Sequence, residues 1–332
     1  MPTNRVAVAA IIMLSMAAAP VAASSPTMTA RAAAADCRVL SLSGGGSFGA
    51  FESGVLSRLV NSSDHDLDYD YLLGVSAGAL NAAYVSTFPQ GAAGLAAAAA
   101  KLKELWITSK SSDVWKLRLD PLKGEPGLLS TDPLKNLIDK ILQGRTVQRN
   151  VTIGTTDLST GATARHDEDE LRVATNTLMR ASSAIPLIFP PVEVAGTRHV
   201  DGGNSANVLS VHGINRCDAT VPEGAPPPEV VLDIILADRP LEAVAPAETL
   251  DWNLLELAGR EFEIAKSGLF NHELRFACPT GVQSRTSATI YSSIDSLRVS
   301  KLGCLDFDHG EEIWAVGHNA SRVGRHQFYF CP

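Results

Sequence analysis

Short apolar runs and stretches of helical periodicity alternate along most of the chain. "CRVLSLS" (residues 37–43) predicts a strand that ends in a glycine triplet, and "FGAFESGVLSRLV" then places Phe48, Phe51, Val55, Leu56 and Leu59 on one face of a helix. "YDYLLGVS" predicts a second buried strand, and "AGALNAAYVS" a helix, because its residues are good helix formers. An alanine-rich helix follows and ends near Trp106. Residues 109–130 hold Trp115, Pro121, Gly124, Pro126 and Gly127 without periodicity, which predicts a long loop over one end of a sheet. "TDPLKNLIDKIL" predicts a helix capped by Thr131 or Asp132, with Pro133 in its first turn. "NVTIGTTDLSTG" reads as a strand running into a turn, "DELRVATNTLMRASSAI" as a helix stopping before Pro186, and "VEVAGTRHVDGG" as a hairpin closing on Asp-Gly-Gly. After the proline-rich loop "VPEGAPPPE", "VVLDIILA" predicts a buried strand and "TLDWNLLELAGREFEIAKSGL" a long helix, followed by a mixed tail. Strands alternating with helices imply a three-layer α/β/α sandwich around a mostly parallel sheet. No internal repeat is visible, and residues 37–332 are expected to form one domain.

The first residues change the picture of where the protein acts. Arg5 precedes the apolar run "VAVAAIIMLSMAAA" and then "VAAS", with Val21 and Ala23 at the positions a signal peptidase reads. Met1 to Ala23 is therefore expected to be a secretory signal cleaved after Ala23, and residues 24–36 a small-residue leader. Roughly 14 apolar residues fall short of the ~20 that span a bilayer. The expected location is secreted or periplasmic.

Composition narrows the partners. The chain has 332 residues, 45% of them hydrophobic, which is ample for a sizeable core. Its 28 Lys and Arg against 36 Asp and Glu give a net charge of -8. That balance argues against nucleic acid as a partner and against attachment to anionic membranes by charge alone, so lipid contact would be apolar and transient. Cys37, Cys217, Cys278, Cys304 and Cys331 form no C-x-x-C pair and have no histidine at ligand spacing, so no metal site is expected. Disulfides are expected among the four later cysteines, leaving Cys37 free.

Three short segments carry the candidate chemistry. "GVSAGAL" sets Ser76 between Gly74 and Gly78 at a strand-to-helix turn, the nucleophile elbow, in which the turn forces the hydroxyl outward. "SGGGSFGAF" offers bare N–H groups of Gly44, Gly45 and Gly46 at a helix start, with Gly49 beyond them. It lacks the Lys-Ser/Thr ending of a phosphate-binding P-loop and fits an oxyanion hole for acyl transfer. For the proton acceptor, a histidine triad would draw on Asp233 or Asp238 and on His272, His309 or His318. None of these histidines lies in an obvious catalytic loop. Asp201 is better placed, because it follows a strand and precedes Gly202 and Gly203, so a sharp turn presents its carboxylate. Apolar residues of "IPLIFPP" and of the 109–130 loop are candidate walls for a pocket.

"SLSGGGSFGAFESGVL", "GVSAGALNAAY", "TTDLSTG", "ASSAIPLIFPPV" and "DGGNSANV", in that order over residues 41–208, resemble the patatin-like phospholipases. The resemblance implies a Ser-Asp dyad without a histidine: Ser76 as nucleophile, Asp201 as general base, and N–H groups around Gly44, Gly45 and Gly46 as the oxyanion hole. It also implies hydrolysis of phospholipid, lysophospholipid or neutral glycerolipid esters, with no calcium, other metal or cofactor. Many relatives carry Arg or Lys at the position of Phe48, and its loss weakens the expectation of a phospholipid over a neutral ester. The alternatives are an α/β-hydrolase esterase with a histidine triad and a secreted storage or interaction protein that retains the fold.

Overall fold

The structure is a computed structural model that describes residues 36–62, 66–119, 125–226, 228–237, 286–292, 303–319 and 326–329, all within the compact unit Ala34–Pro332. The expected signal segment and leader, the long helix after residue 248, Asp238, His272, Cys278 and Cys331 lie outside the described residues. In chain order the described elements begin with β1 (Cys37–Leu42), a 3-10 turn (Gly46–Phe48), α1 (Gly49–Val60), β2 (Tyr71–Val75), α2 (Ala77–Val85) and α3 (Ala92–Thr108). They continue with α4 (Ser111–Val114), β3 (Lys116–Leu117), β4 (Leu129–Ser130), α5 (Asp132–Leu142), β5 (Asn150–Asp157), β6 (Thr163–His166) and α6 (Glu168–Ser182). The remainder are β7 (Val192–Val194), β8 (Thr197–Asp201), α7 (Ser210–Ala219), β9 (Val230–Leu236), β10 (Thr286–Ser292), α8 (Gly310–Asn319) and β11 (His326–Tyr329).

Nine of these strands form one sheet in the order β11-β10-β9-β1-β2-β5-β8-β7, with β6 also paired to β5. The five strands from β10 to β5 run parallel, and β11, β6, β8 and β7 add antiparallel pairs at the two ends. This is the expected mostly parallel α/β sheet. Its central strands are buried on both faces, which is why β1, β2 and β9 read as near-continuous apolar runs. Leu40, Leu42 and Leu72 pack against the side covered by α1, α2, α3, α5, α6 and α8, while Val39, Leu73, Val75 and Ile234 face the side covered by α7. Two apolar layers therefore clamp the sheet between helices.

Three expectations need correction. The 109–130 stretch is not all loop, because Asp113 accepts the N–H of Lys110 and closes the four-residue α4, and β3 pairs with β4 beyond it. The turn after β5 leads into the unexpected strand β6, and "SVHGINRCDA" forms α7, whose apolar positions are too few to signal a helix. Cys37 is not free: it bonds Cys217 across a Cα–Cα distance of 5.9 Å. The start of β1 and the last turn of α7 are neighbours in space, although 180 residues separate them in sequence.

Candidate active site

Ser76 stands between the end of β2 and the start of α2 with φ 53° and ψ -120°. A non-glycine residue there carries strain of order 1–3 kcal/mol, which persists only where its surroundings enforce it. The flanking glycines show the enforcement. A Cβ on Gly74 would lie 2.2 Å from the carbonyl oxygen of Gly78, and one on Gly78 would lie 2.4 Å from that of Leu42. Gly78 also donates its N–H to Ser43 O at 3.1 Å, so the first turn of α2 rests on the end of β1. Ser182, at the end of α6, accepts the Ser76 N–H on its Oγ at 2.8 Å and donates to Gly154 O at 2.6 Å. The sequence held no signal for this brace.

Strand register brings Asp201 to the same place. Val75 pairs with Gly154, and Asp201 pairs with Thr155, the next residue of β5. Because β6 pairs with both Gly154 and Thr155 on the other edge of β5, β2 and β8 share one edge and run head-on toward each other. The strand end that carries the serine and the strand end that carries the aspartate meet there. Ser76 and Asp201 are both buried, at 5% and 2% exposure. The Asp201 carboxylate accepts the Gly203 N–H at 2.8 Å, its own N–H donates to Ala184 O, and its carbonyl accepts from Thr156 and Asn204. Gly202 packs its Cα against the Gly154 carbonyl. Among the described residues the Ser76 hydroxyl has no hydrogen-bond partner.

The glycine loop borders the elbow, but its three members differ. A Cβ on Gly44 would lie 3.1 Å from the Ser76 Cβ, which puts the loop beside the serine. The Gly44 N–H is committed to Asn207 Oδ1 at 3.1 Å, contrary to its expected place as an oxyanion donor. Gly45 and Gly46 donate to no acceptor among the described residues. Gly46 has φ 57° and backs onto the Cys304 carbonyl, while Gly49 packs against the Trp106 ring. Phe48 is partly buried against the core, as a helix-face residue would be.

One turn along α2, Leu80 donates its N–H to Ser76 O, and the same Leu80 lines an apolar pocket open at its mouth. Trp106, Val114, Ile138, Met179 and Phe307 are among its other walls. Of the expected wall segments only the 109–130 stretch contributes, through Ser109 and Val114. No residue of "IPLIFPP" reaches it, and Leu187 is exposed. Beneath Asp201, Thr155 Oγ1 contacts His166 Nε2 at 2.9 Å and His199 Nδ1 at 2.8 Å. Burial, and then the neighbouring His166, push the His199 pKa below its usual value.

Of the groups proposed for a histidine triad, the described ones, Asp233, His309 and His318, contact other residues. Asp233 accepts the Tyr69 hydroxyl at 2.8 Å, His309 lies 3.6 Å from Asp306 and from Glu312, and His318 stacks on Trp314. Among the described residues no three His, Cys, Asp or Glu side chains gather as metal ligands, and no helix is long and apolar enough to cross a membrane.

The family model of the patatin-like phospholipases matches residues 40–210, more than half of the chain, from within β1 to the first residue of α7. The chain belongs to the patatin-like phospholipase family. Among solved structures it is similar to VipD from Legionella pneumophila, at 12% identity and a TM-score of 0.32, covering 85% of this chain and 67% of that one. A search of curated proteins found no match. The matched span contains both strand ends that meet on β5, so the family's part of the chain and the candidate site coincide. Patatin-like phospholipases are lipid acyl hydrolases, and the pocket that Leu80 lines is apolar.

Proposed function

We propose that the protein is a lipid acyl hydrolase that cleaves carboxylic esters of phospholipids, lysophospholipids or neutral glycerolipids through a serine acyl-enzyme. The observation that carries this reading is the head-on meeting of β2 and β8 along β5, which brings the strained Ser76 beside Asp201. Ser76 Oγ attacks the ester carbonyl carbon as its proton passes to Asp201, and the carbonyl oxygen becomes an oxyanion. The N–H groups of Gly45 and Gly46, at the start of the 3-10 turn that leads into α1, take that oxygen. Collapse of the intermediate breaks the ester bond, and the departing alcohol leaves with the proton from Asp201. Water, giving a proton to the same carboxylate, then attacks the acyl-enzyme. The fatty acid leaves and Ser76 regains its proton.

The acyl chain occupies the cavity that begins at Leu80, and contact with a lipid interface is transient. The reaction uses no metal or cofactor. The basic and apolar start of the chain supports export, with cleavage after Ala23, to a secreted or periplasmic location.

The test is a fluorophosphonate probe with an ester panel: p-nitrophenyl esters, a phospholipid, a lysophospholipid and a triacylglycerol. The probe is expected on Ser76, and Ser76→Ala abolishes both labelling and hydrolysis. Asp201→Asn keeps the melting temperature but loses about 10²- to 10⁴-fold in kcat, the usual worth of a general base. Near wild-type kcat in a folded Asp201→Asn variant would refute the dyad.

A further inference from the structure

Asn207 is 3% exposed and lies six residues beyond Asp201, on the far side of the Asp-Gly-Gly turn. The turn is tight: Ser205 and Ala206 both donate their N–H groups to Gly202 O, at 3.0 and 2.9 Å, which curls residues 202–206 back on themselves. The curl returns Asn207 to the starting point of the turn. A Cβ on Gly203 would lie 3.1 Å from Asp201 Oδ1 and 3.2 Å from Asn207 Oδ1, so both side-chain oxygens crowd the same bare Cα. On its other side Asn207 Oδ1 accepts the Gly44 N–H at 3.1 Å, across 163 residues of sequence. A Cβ on Gly44, in turn, would touch both Asn207 Oδ1 and the Ser76 Cβ, at 2.8 and 3.1 Å.

One buried amide therefore stands where the base's turn, the glycine loop and the nucleophile's Cβ converge. Gly44 is the hinge of that loop, because it follows the last residue braced to the sheet. Ser43 donates its N–H to Ile235 O, and its Oγ accepts the Ala237 N–H. Beyond Gly44, Gly45 is extended at φ -178° and Gly46 turns to φ 57°. With the Gly44 N–H tied to Asn207 and Gly46 packed on the Cys304 carbonyl, the next two N–H groups are held from both sides. With it released, a run of three glycines has the widest choice of conformations that a chain can have.

We propose that Asn207 is a positioning residue of the hydrolase: by holding the Gly44 N–H it aims Gly45 and Gly46 at the acyl oxygen and locks the oxyanion loop to the turn that carries Asp201. This rests on the dyad reading for its kinetic consequence, but the contact itself does not. Asn207 touches neither substrate nor the reacting atoms. Its effect falls on the transition state, in which the oxyanion exists, and not on the ground-state ester.

The experiment compares wild type with N207L, which fills the same space without an acceptor, and N207D, which keeps an oxygen at Oδ1. Amide hydrogen exchange at Gly44 is read by mass spectrometry alongside ester hydrolysis and melting curves. In N207L, protection at Gly44 is lost and kcat falls about 10- to 10²-fold, below the 10²–10³ of deleting an oxyanion donor outright. KM stays within about 2-fold of wild type. In N207D the Gly44 amide remains protected, and should N207L fail to fold, this retained protection supports the contact while its loss overturns it. A folded N207L with Gly44 still protected, or with protection lost and kcat unchanged, overturns the proposal. The exchange measurement is repeated in the Ser76→Ala background. If Ser76→Ala still hydrolyses esters the dyad reading fails, whereas Gly44 protection there still reports on Asn207 alone.

Discussion

Replacing Ser182 by alanine tests the brace under the elbow. The side chain is fully buried, and its hydroxyl makes two bonds that cross between elements: it accepts the Ser76 N–H and donates to Gly154 O. Removing the oxygen leaves a gap too small to admit a water that could satisfy both groups. The Ser76 N–H then becomes a buried orphan, at a cost of about 1–3 kcal/mol. The Gly154 carbonyl suffers less, because Gly154 stays in register with Val75 on one side and Arg165 on the other, and an under-used carbonyl is tolerated better than an unpaired N–H. The sum is about 2–3 kcal/mol, which at ~2–4 °C per kcal/mol lowers Tm on the order of 4–12 °C. Part of that loss is offset if the elbow relaxes from φ 53°, and a relaxed elbow misaims the hydroxyl, so fluorophosphonate labelling slows along with the drop in Tm. The neighbouring Ser183→Ala is the control. That hydroxyl donates only within its own helix, to Met179 O at 3.0 Å, and its loss is expected to cost less than about 1 kcal/mol. Thermal melts of the two variants, with labelling rates at a temperature where both are folded, decide the matter. A Ser182→Ala protein with Tm within about 1 °C of wild type and unaltered labelling would refute the reasoning.

Reduction of the Cys37–Cys217 bond opens a loop of 180 residues, and chain entropy sets its stabilisation at up to about 5 kcal/mol, so melting in dithiothreitol should fall well below melting without it; equal transitions would show the bond to be energetically idle. Leu80→Trp, in the wall of the apolar pocket one turn from Ser76, is expected to lower hydrolysis of long-chain p-nitrophenyl esters while sparing the acetate, and an equal loss on both would separate the pocket from the acyl chain. Burial and His166 hold the His199 pKa below its unfolded value, so the unfolded state binds the extra proton; stability is therefore present above ~pH 6.5 and declines as pH falls toward the depressed folded value. Denaturant midpoints from pH 7.5 to 5 should show that decline, with a shallower slope in His199→Gln, and parallel slopes would assign it to other groups.

Much of the site was legible because its signals are local. An elbow needs glycines within two residues of the serine, and a carboxylate presented by a sharp turn needs glycines directly after it. Those are steric demands of a few consecutive residues, written as "GVSAG" and "VDGG". Strands buried on both faces are largely apolar, so β1, β2 and β9 announced themselves and, with the helical stretches between them, gave the mostly parallel sheet. The antiparallel strand β6 and the helix α7 did not. β6 has only four residues, of which only Ala164 is apolar, and α7 covers the sheet with Ile214 and Cys217 while Gly213 fits against Val39 and Leu73, a contact by absence of a side chain that no hydrophobic pattern records.

What tertiary structure alone decided is which distant residues meet. The sequence held Ser76 and Asp201 as two separate turns, and the shared edge of β5 made them neighbours, because β2 and β8 enter it from opposite ends. The same sheet order put the start of β1 beside the end of α7 and so paired Cys37 with Cys217, against the expectation drawn from where cysteines cluster along the chain. Asn207 and Ser182 are ordinary polar residues in the sequence. Buried where no water can take their place, they became the partners of Gly44 and Ser76. Sequence fixes local backbone options through sterics a few bonds long, whereas the choice of hydrogen-bond partner is made by burial, which exists only once the whole sheet has closed.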